Sequence, residues 1–220
     1  MPAQAAHFVA KDWRTTALRL KAFCLRLPGL VLLLALPIAG CESAPPARVP
    51  ALPNVMYAHT WGGTPTALPA AAQTVTHITI HHQGEIWDAG GNVPAYLRRL
   101  QTWSRTAKGW ADIPYHYVVA PNGQVFAARP WQMAGDTNTE YDPRGHVLVM
   151  LMGNFEVQHP TAEQWATSVE LIAALQRSFG LAAGRIGTHS DHSTQTVCPG
   201  AHLLARMSEL KAAVQAAAQR

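Results

Sequence analysis

Cysteine, charge and low-complexity tracts are all scarce in this sequence. Only three of its 220 residues are cysteine, too few for a multi-disulfide framework, so a fold of this length must rest on a hydrophobic core. Charged residues make up 14% of the chain against 48% apolar ones, unlike the highly charged, weakly apolar composition of disordered segments. No segment recurs at a fixed period, which excludes solenoids and propellers. Nor is there an uninterrupted apolar run of the ~20 residues that a membrane-crossing helix needs. The length fits one or two domains.

The net charge of +4 suggests a nucleic-acid partner, but its distribution does not. Lys11, Arg14, Arg19, Lys21 and Arg26 precede a short apolar stretch, Leu27 to Gly40, interrupted by Pro28, Gly29 and Pro37. A basic leader before a short apolar segment reads as an export signal over residues 1–40. The stretch closes on Ile38-Ala39-Gly40-Cys41, which resembles the lipobox of bacterial lipoproteins, whose cysteine is acylated and becomes the first residue after cleavage. The plainer alternative is an uncleaved anchor with an incidental cysteine. Without residues 1–40 the chain keeps twelve basic and twelve acidic residues, so no nucleic-acid partner is expected. The lipobox implies a periplasmic protein held to a membrane through lipid on Cys41. Glu42 stands where inner-membrane retention commonly has aspartate, which points to the outer membrane.

Cys24 leaves with the leader and Cys41 is taken by lipid, so Cys198 remains alone. In an oxidising compartment a solitary cysteine is a buried small hydrophobe, a nucleophile or a metal ligand. The prolines and alanines from Glu42 to Pro69 read as an extended tether spanning residues 41–72. Within it, Trp61-Gly62-Gly63 is the one stretch able to pack on the domain edge instead.

Globular patterning covers residues 73–220. Alternation over Val75 to His82 predicts a strand with Ile78 and Ile80 on one face and His77, Thr79 and His81 on the other. Pro94 opens a predicted helix to about Lys108. Pro121-Asn122-Gly123 predicts a hairpin turn between strands Tyr115–Ala120 and Gln124–Ala128. Val147 to Met152 is apolar throughout, as in a strand buried on both faces. Thr161-Ala162-Glu163-Gln164 fits a capping box, opening a helix to Phe179 with Gly180 as its stop. Arg185 to Thr188 reads as a short strand, and one final helix starts near Ala201. The result is an α/β domain with a single mixed central β-sheet flanked by helices.

Ten histidines remain after the leader. His81 and His82 end the first strand, His189 and His192 follow the last one, and Cys198 stands nine residues after His189. Two imidazoles and a thiolate suit Zn²⁺ in a tetrahedron with one open position, where the ion would activate water and polarise a carbonyl. Each piece alone has a bland reading, a satisfied structural histidine or a buried cysteine before a turn.

In order along the chain run Ile78-Thr79-Ile80-His81-His82, Ile113-Pro114-Tyr115-His116-Tyr117-Val118-Val119, Asn122-Gly123, Arg129-Pro130-Trp131, Gly153-Asn154-Phe155, His189 and Cys198-Pro199-Gly200. This set resembles the zinc-dependent N-acetylmuramoyl-L-alanine amidase family of phage lysozyme-type amidases and peptidoglycan recognition proteins, over roughly residues 73–206. The resemblance implies that fold, with zinc held by His81, His189 and Cys198, a catalytic Tyr115 assisted by Thr196, and a peptidoglycan or muropeptide substrate cut at the amide between N-acetylmuramic acid and L-alanine. Met150 occupies the place where some branches carry a glutamate, so this chain is of the tyrosine type. The family's last histidine and cysteine commonly lie one residue closer, an insertion that leaves His192 as a rival ligand. His189 is preferred because it directly follows a strand. Tyr115 also reads as a core aromatic sharing the face of Tyr117 and Val119. Trp131 and Asn154 read either as groove residues for glycan or peptide, or as a core tryptophan and a turn asparagine. Two other functions stay open: a peptidoglycan-binding module without catalysis, and a thiol hydrolase using Cys198 with a histidine base.

Overall fold

The computed structural model describes residues 54–88 and 90–220. The leader, Cys41 and the first part of the tether lie outside the described residues. Six strands form one sheet: β1 (Val55–Met56), β2 (His77–His82), β3 (Tyr117–Val119), β4 (Val125–Ala127), β5 (His146–Leu151) and β6 (Ile186–Thr188), in the order β1-β4-β3-β5-β2-β6. The β3–β4 pair is antiparallel, closed by a turn in which the Gly123 N–H donates to Ala120 O at 2.9 Å; every other neighbouring pair is parallel. The sheet is therefore mixed, as the alternation of strands and helices in the sequence implied.

Two apolar layers sandwich it. On one face Ile78, Ile80, Val147, Val149 and Leu151 meet helices α3 (Ala162–Phe179) and α5 (Met207–Ala218). On the other, Val118, Met150 and Phe126 pack with Leu97 of α2 (Val93–Ala107) and Trp61 of the one-turn helix α1 (Ala58–Trp61). All six residues of β5 are buried, as a central parallel strand covered on both faces requires.

Helix α3 begins and ends where its cap residues dictate. The Thr161 side chain accepts from the Gln164 N–H at 3.0 Å, and Gly180 stops the helix at φ 61°, a left-handed conformation that costs glycine nothing. Only half of the capping box forms. The Gln164 amide turns inward and donates to Val119 O and Met152 O, buried carbonyls at the ends of β3 and β5, at 2.8 and 3.0 Å, leaving the helix start with only the Thr161 half of the box. The single terminal helix expected from the sequence is two: α4 (Ala201–Leu204) and α5. Arg206 breaks the path at φ −102°, ψ 5° and lays its guanidinium 3.6 Å over the Trp165 ring.

Residues 55–66 pack on the domain and are not free spacer, whereas residues 67–72 are exposed and without helix or strand. β1 pairs with β4, and Trp61 is 1% exposed with its indole N–H donating to Ala127 O at 2.9 Å. Gln101 on α2 ties down the Thr64 backbone through both ends of its amide, at 2.8 and 3.0 Å. Proline and alanine content suggested an extended spacer, but one tryptophan with a matching socket outweighs composition. Replacing a buried tryptophan by alanine typically costs about 3–5 kcal/mol. Trp61→Ala is accordingly expected to lower the unfolding free energy by about 3 kcal/mol in urea titration, whereas a residue in a free spacer would leave the midpoint unchanged.

Candidate metal centre

Parallel pairing brings the sequence-distant histidines together. Ile80 of β2 is in register with Thr188 of β6, so His81, next along β2, and His189, the first residue beyond β6, emerge at the same carboxyl-end edge of the sheet. Ligand sites in open α/β sheets form at that edge. The two imidazole centroids are 4.6 Å apart, and His81 is 2% exposed. Thr188 caps the single 3₁₀ turn His189–Asp191, which fixes the backbone of the second histidine.

Cys198 arrives from the loop after that turn. Its carbonyl accepts the Ser190 N–H at 2.9 Å, its N–H donates to Thr196 Oγ1 at 3.1 Å, and its Sγ accepts the His82 N–H at 3.3 Å. Gly200 at φ 90° lets this loop lie flat on the backbone of Phe155 and Glu156; a Cβ there would stand 2.5 Å from the Phe155 carbonyl carbon. One ligand atom from each of His81, His189 and Cys198 lies within 4.8 Å of the others, the one such group of three among the described residues.

The set fits a tetrahedral cation. Cys198 Sγ stands 3.6 Å from His81 Nδ1. Two ligands at 2.3 Å (sulfur) and 2.1 Å (nitrogen) from one zinc ion, at a tetrahedral angle, would be about 3.6 Å apart. The other ring nitrogen, Nε2, is buried with no hydrogen-bond partner, so Nδ1 is the side of the His81 ring that faces the group. Burial also holds His81 well below the usual imidazole range and His189 at about 4, with the neighbouring histidines adding repulsion. Both rings are thus neutral, with lone pairs free, at any ordinary pH. Burial pushes the Cys198 thiol up to about 12, the His82 N–H opposing it in part. That direction is opposite to the depressed pKa of a nucleophilic cysteine and counts against the thiol-hydrolase reading.

A cleft of about 360 Å³ opens over the group, lined by His81, His189, Cys198, Tyr115 and Thr196 among others. Tyr115 does not share the face of Tyr117 and Val119. Those two point into the α3 layer, whereas Tyr115 packs on the α2 side with its ring centroid 5.2 Å from His81. The chain bends at His116, before β3 begins, and strict alternation does not carry through a bend. Burial and the nearby Cys198 raise the Tyr115 phenol far above its ordinary value.

Trp131 and Asn154 lie elsewhere. The Trp131 ring packs edge-on against Phe179 at 5.1 Å, and Asn154 accepts the Glu156 N–H at 3.0 Å within the turn after β5; neither lines the cleft. His192, the rival ligand, joins Tyr141 and His146 at ring distances of 5.6 and 4.7 Å and stays outside the group of three. Several site residues had no sequence signal. Thr137 and Thr139 reach His189 Nε2 at 3.4 and 2.8 Å, and the Tyr141 ring stands 5.2 Å from His189. Tyr96, Leu100 and Trp103 of α2, together with Trp110, wall the cleft.

A family model described as N-acetylmuramoyl-L-alanine amidase matches residues 71–201, more than half of the chain. Peptidoglycan-recognition protein SC2 of Drosophila simulans is 23% identical over 145 residues, covering 65% of this chain and 78% of that protein. Among solved structures, human PGRP-IBETAC in complex with glycosamyl muramyl pentapeptide superposes with a TM-score of 0.63 at 21% identity, over 71% of this chain and 96% of that one. The N-acetylmuramoyl-L-alanine amidase LysC from Clostridium intestinale URNW gives 0.56 at 20% identity, over 74% and 99%.

The charge states fix a proton count. With both imidazoles already neutral and the thiol protonated, zinc uptake by metal-stripped protein at pH 6.5 is expected to release one proton per ion, from Cys198. Calorimetry in two buffers of different ionisation enthalpy measures that number. Release of none contradicts the assigned donor set, and any release beyond one proton reports ionisation of zinc-bound water.

Proposed function

The chain belongs to the N-acetylmuramoyl-L-alanine amidase family, and on that premise we propose that it hydrolyses the amide joining N-acetylmuramic acid to the L-alanine of a peptidoglycan stem peptide, with zinc as cofactor. The observation that carries this reading is the convergence of His81, His189 and Cys198 on one point at the floor of a cleft, beside Tyr115. In that place zinc would polarise the scissile carbonyl and lower the pKa of water. The three ligands hold the cation; every other contribution comes from hydroxyl groups and from the cleft walls.

Tyr115 is the hydrogen-bond donor for the oxyanion that develops on the carbonyl. Its raised pKa keeps the phenolic O–H in place through neutral and mildly alkaline pH. Thr196 Oγ1 already accepts the Cys198 N–H, which leaves its O–H to turn toward the cleft as a second donor. The aromatic wall of Tyr96, Trp103 and Trp110 keeps bulk water off one side and offers flat surfaces to a sugar ring. Support for a muropeptide ligand also comes from the human recognition protein, whose structure holds a muramyl pentapeptide.

We place the protein in the periplasm, anchored by lipid on Cys41, probing a cell wall that lies within reach of the membrane. Labelling with a radioactive fatty acid in cells is expected to mark the parent chain and not Cys41→Ser.

Losing one oxyanion donor typically costs 10²–10³-fold in kcat. Tyr115→Phe is expected to show a loss of that order on purified muropeptides while retaining its full zinc content. Mass spectrometry of the products supplies the readout, and a chelator should abolish release of free stem peptide by the parent. A parent that binds sacculi yet releases no peptide, with zinc or without it, would instead be a recognition module.

A further inference from the structure

The loop between β4 and β5 reaches over to His189, and we infer that Thr139 on that loop is a positioning residue that fixes which nitrogen of His189 faces the metal. This inference rests on the zinc reading above. Thr139 Oγ1 lies 2.8 Å from His189 Nε2. A neutral imidazole has one donor and one acceptor nitrogen, and whichever partner claims one of them decides the role of the other. If the Nε2–H donates to Thr139, the lone pair sits on Nδ1, the nitrogen left to turn toward His81 and Cys198.

The surroundings hold the threonine hydroxyl in the accepting role. Thr137 Oγ1 accepts the Thr139 N–H at 3.1 Å and stands 2.8 Å from Thr139 Oγ1. The Thr137 O–H can therefore donate to Thr139, leaving a Thr139 lone pair for the histidine. The loop itself is fastened beside the ligand. Ser193 donates to Glu140 Oε2 at 2.6 Å, and the Thr194 N–H donates to Oε1 of the same carboxylate at 3.2 Å. Tyr141 closes the arrangement by standing edge-on to the His189 ring, 5.2 Å between centroids at 60°. His189 is partly buried, and beside Thr139 only the more distant Thr137 hydroxyl, 3.4 Å from the same Nε2, bears on the choice between its two nitrogens. Partners of this kind orient metal-bound histidines elsewhere, and losing one weakens metal affinity 10–100-fold.

The test is a zinc competition titration of the full chain against a chromophoric chelator, comparing the parent with Thr139→Val and Thr139→Ser. Valine keeps the shape and removes the hydroxyl; serine restores it. The expected result is a 10–100-fold rise in the zinc dissociation constant for Thr139→Val, with recovery to within about threefold for Thr139→Ser. The melting temperature of the metal-stripped protein should be the same in all three. Equal zinc affinity in the parent and Thr139→Val overturns the positioning role alone, whereas a parent that takes up no zinc overturns the reading beneath it. Long-range ¹H–¹⁵N spectra of the zinc-loaded parent decide the matter without any variant. A protonated Nε2 on His189 supports the assignment, and a protonated Nδ1 overturns it.

Discussion

The parallel pairing of β2 with β6 is the constraint on which the site depends. Three register pairs, Ile78 with Ile186, Thr79 with Gly187 and Ile80 with Thr188, carry His81 and His189 to one edge of the sheet on the same side. A slip of one residue would turn His81 into the α3 layer, where Ile78 and Ile80 now sit, because side chains alternate with a period of two. The register is secured from the other flank as well. β2 also pairs with β5 along all six of its residues, and the isoleucines that lock it are fully buried. Core packing therefore acts directly on the geometry of the His81–His189–Cys198 group, and a mutation deep under α3 can reach that group without touching it.

The third ligand comes from a loop, so its position has to be built differently. Four contacts hold Cys198 from both sides: the backbone bonds to Ser190 and Thr196, the His82 N–H on its sulfur, and the close seat of Gly200 on Phe155. The His82 N–H serves two states of the site. In the metal-free protein it satisfies a buried sulfur, and it is already aimed at the charge a thiolate would carry once a cation displaces the proton. Preorganisation of this kind lowers the cost of ionising a thiol whose burial otherwise resists it.

The sequence disclosed those parts of the molecule that repeat a local rule. Strand alternation placed Ile78, Ile80 and His81 on their proper faces, and Gly180 announced the end of α3. It misplaced what tertiary contacts decide. Tyr115 lost its alternation to a bend at His116, Gln164 left the helix start for two sheet carbonyls, and Trp61 pulled a proline-rich stretch onto the domain. Thr137, Thr139 and Tyr141 sit in a loop of irregular backbone with no periodicity, so nothing in their spacing points at His189. Trp131 and Asn154, whose place in an ordered string of motifs suggested either a groove or a structural role, do not line the cleft. Trp131 packs on Phe179 and Asn154 sits in the turn after β5.

The hydrogen-bonding of the two non-ligand hydroxyls narrows what the site can do. A phenol pushed upward by burial, as Tyr115 is, cannot take a proton from water near neutral pH, since it would first have to lose its own. Thr196 has one lone pair occupied by the Cys198 N–H, and its remaining useful function is its O–H. Both groups can therefore act as donors, arranged beside imidazoles that would be occupied as ligands in the proposed zinc-bound state. A site with two donors and no free imidazole base is suited to stabilising negative charge on an oxygen, the difficult part of breaking an amide, and is poorly suited to the proton abstraction that a cysteine–histidine pair would perform.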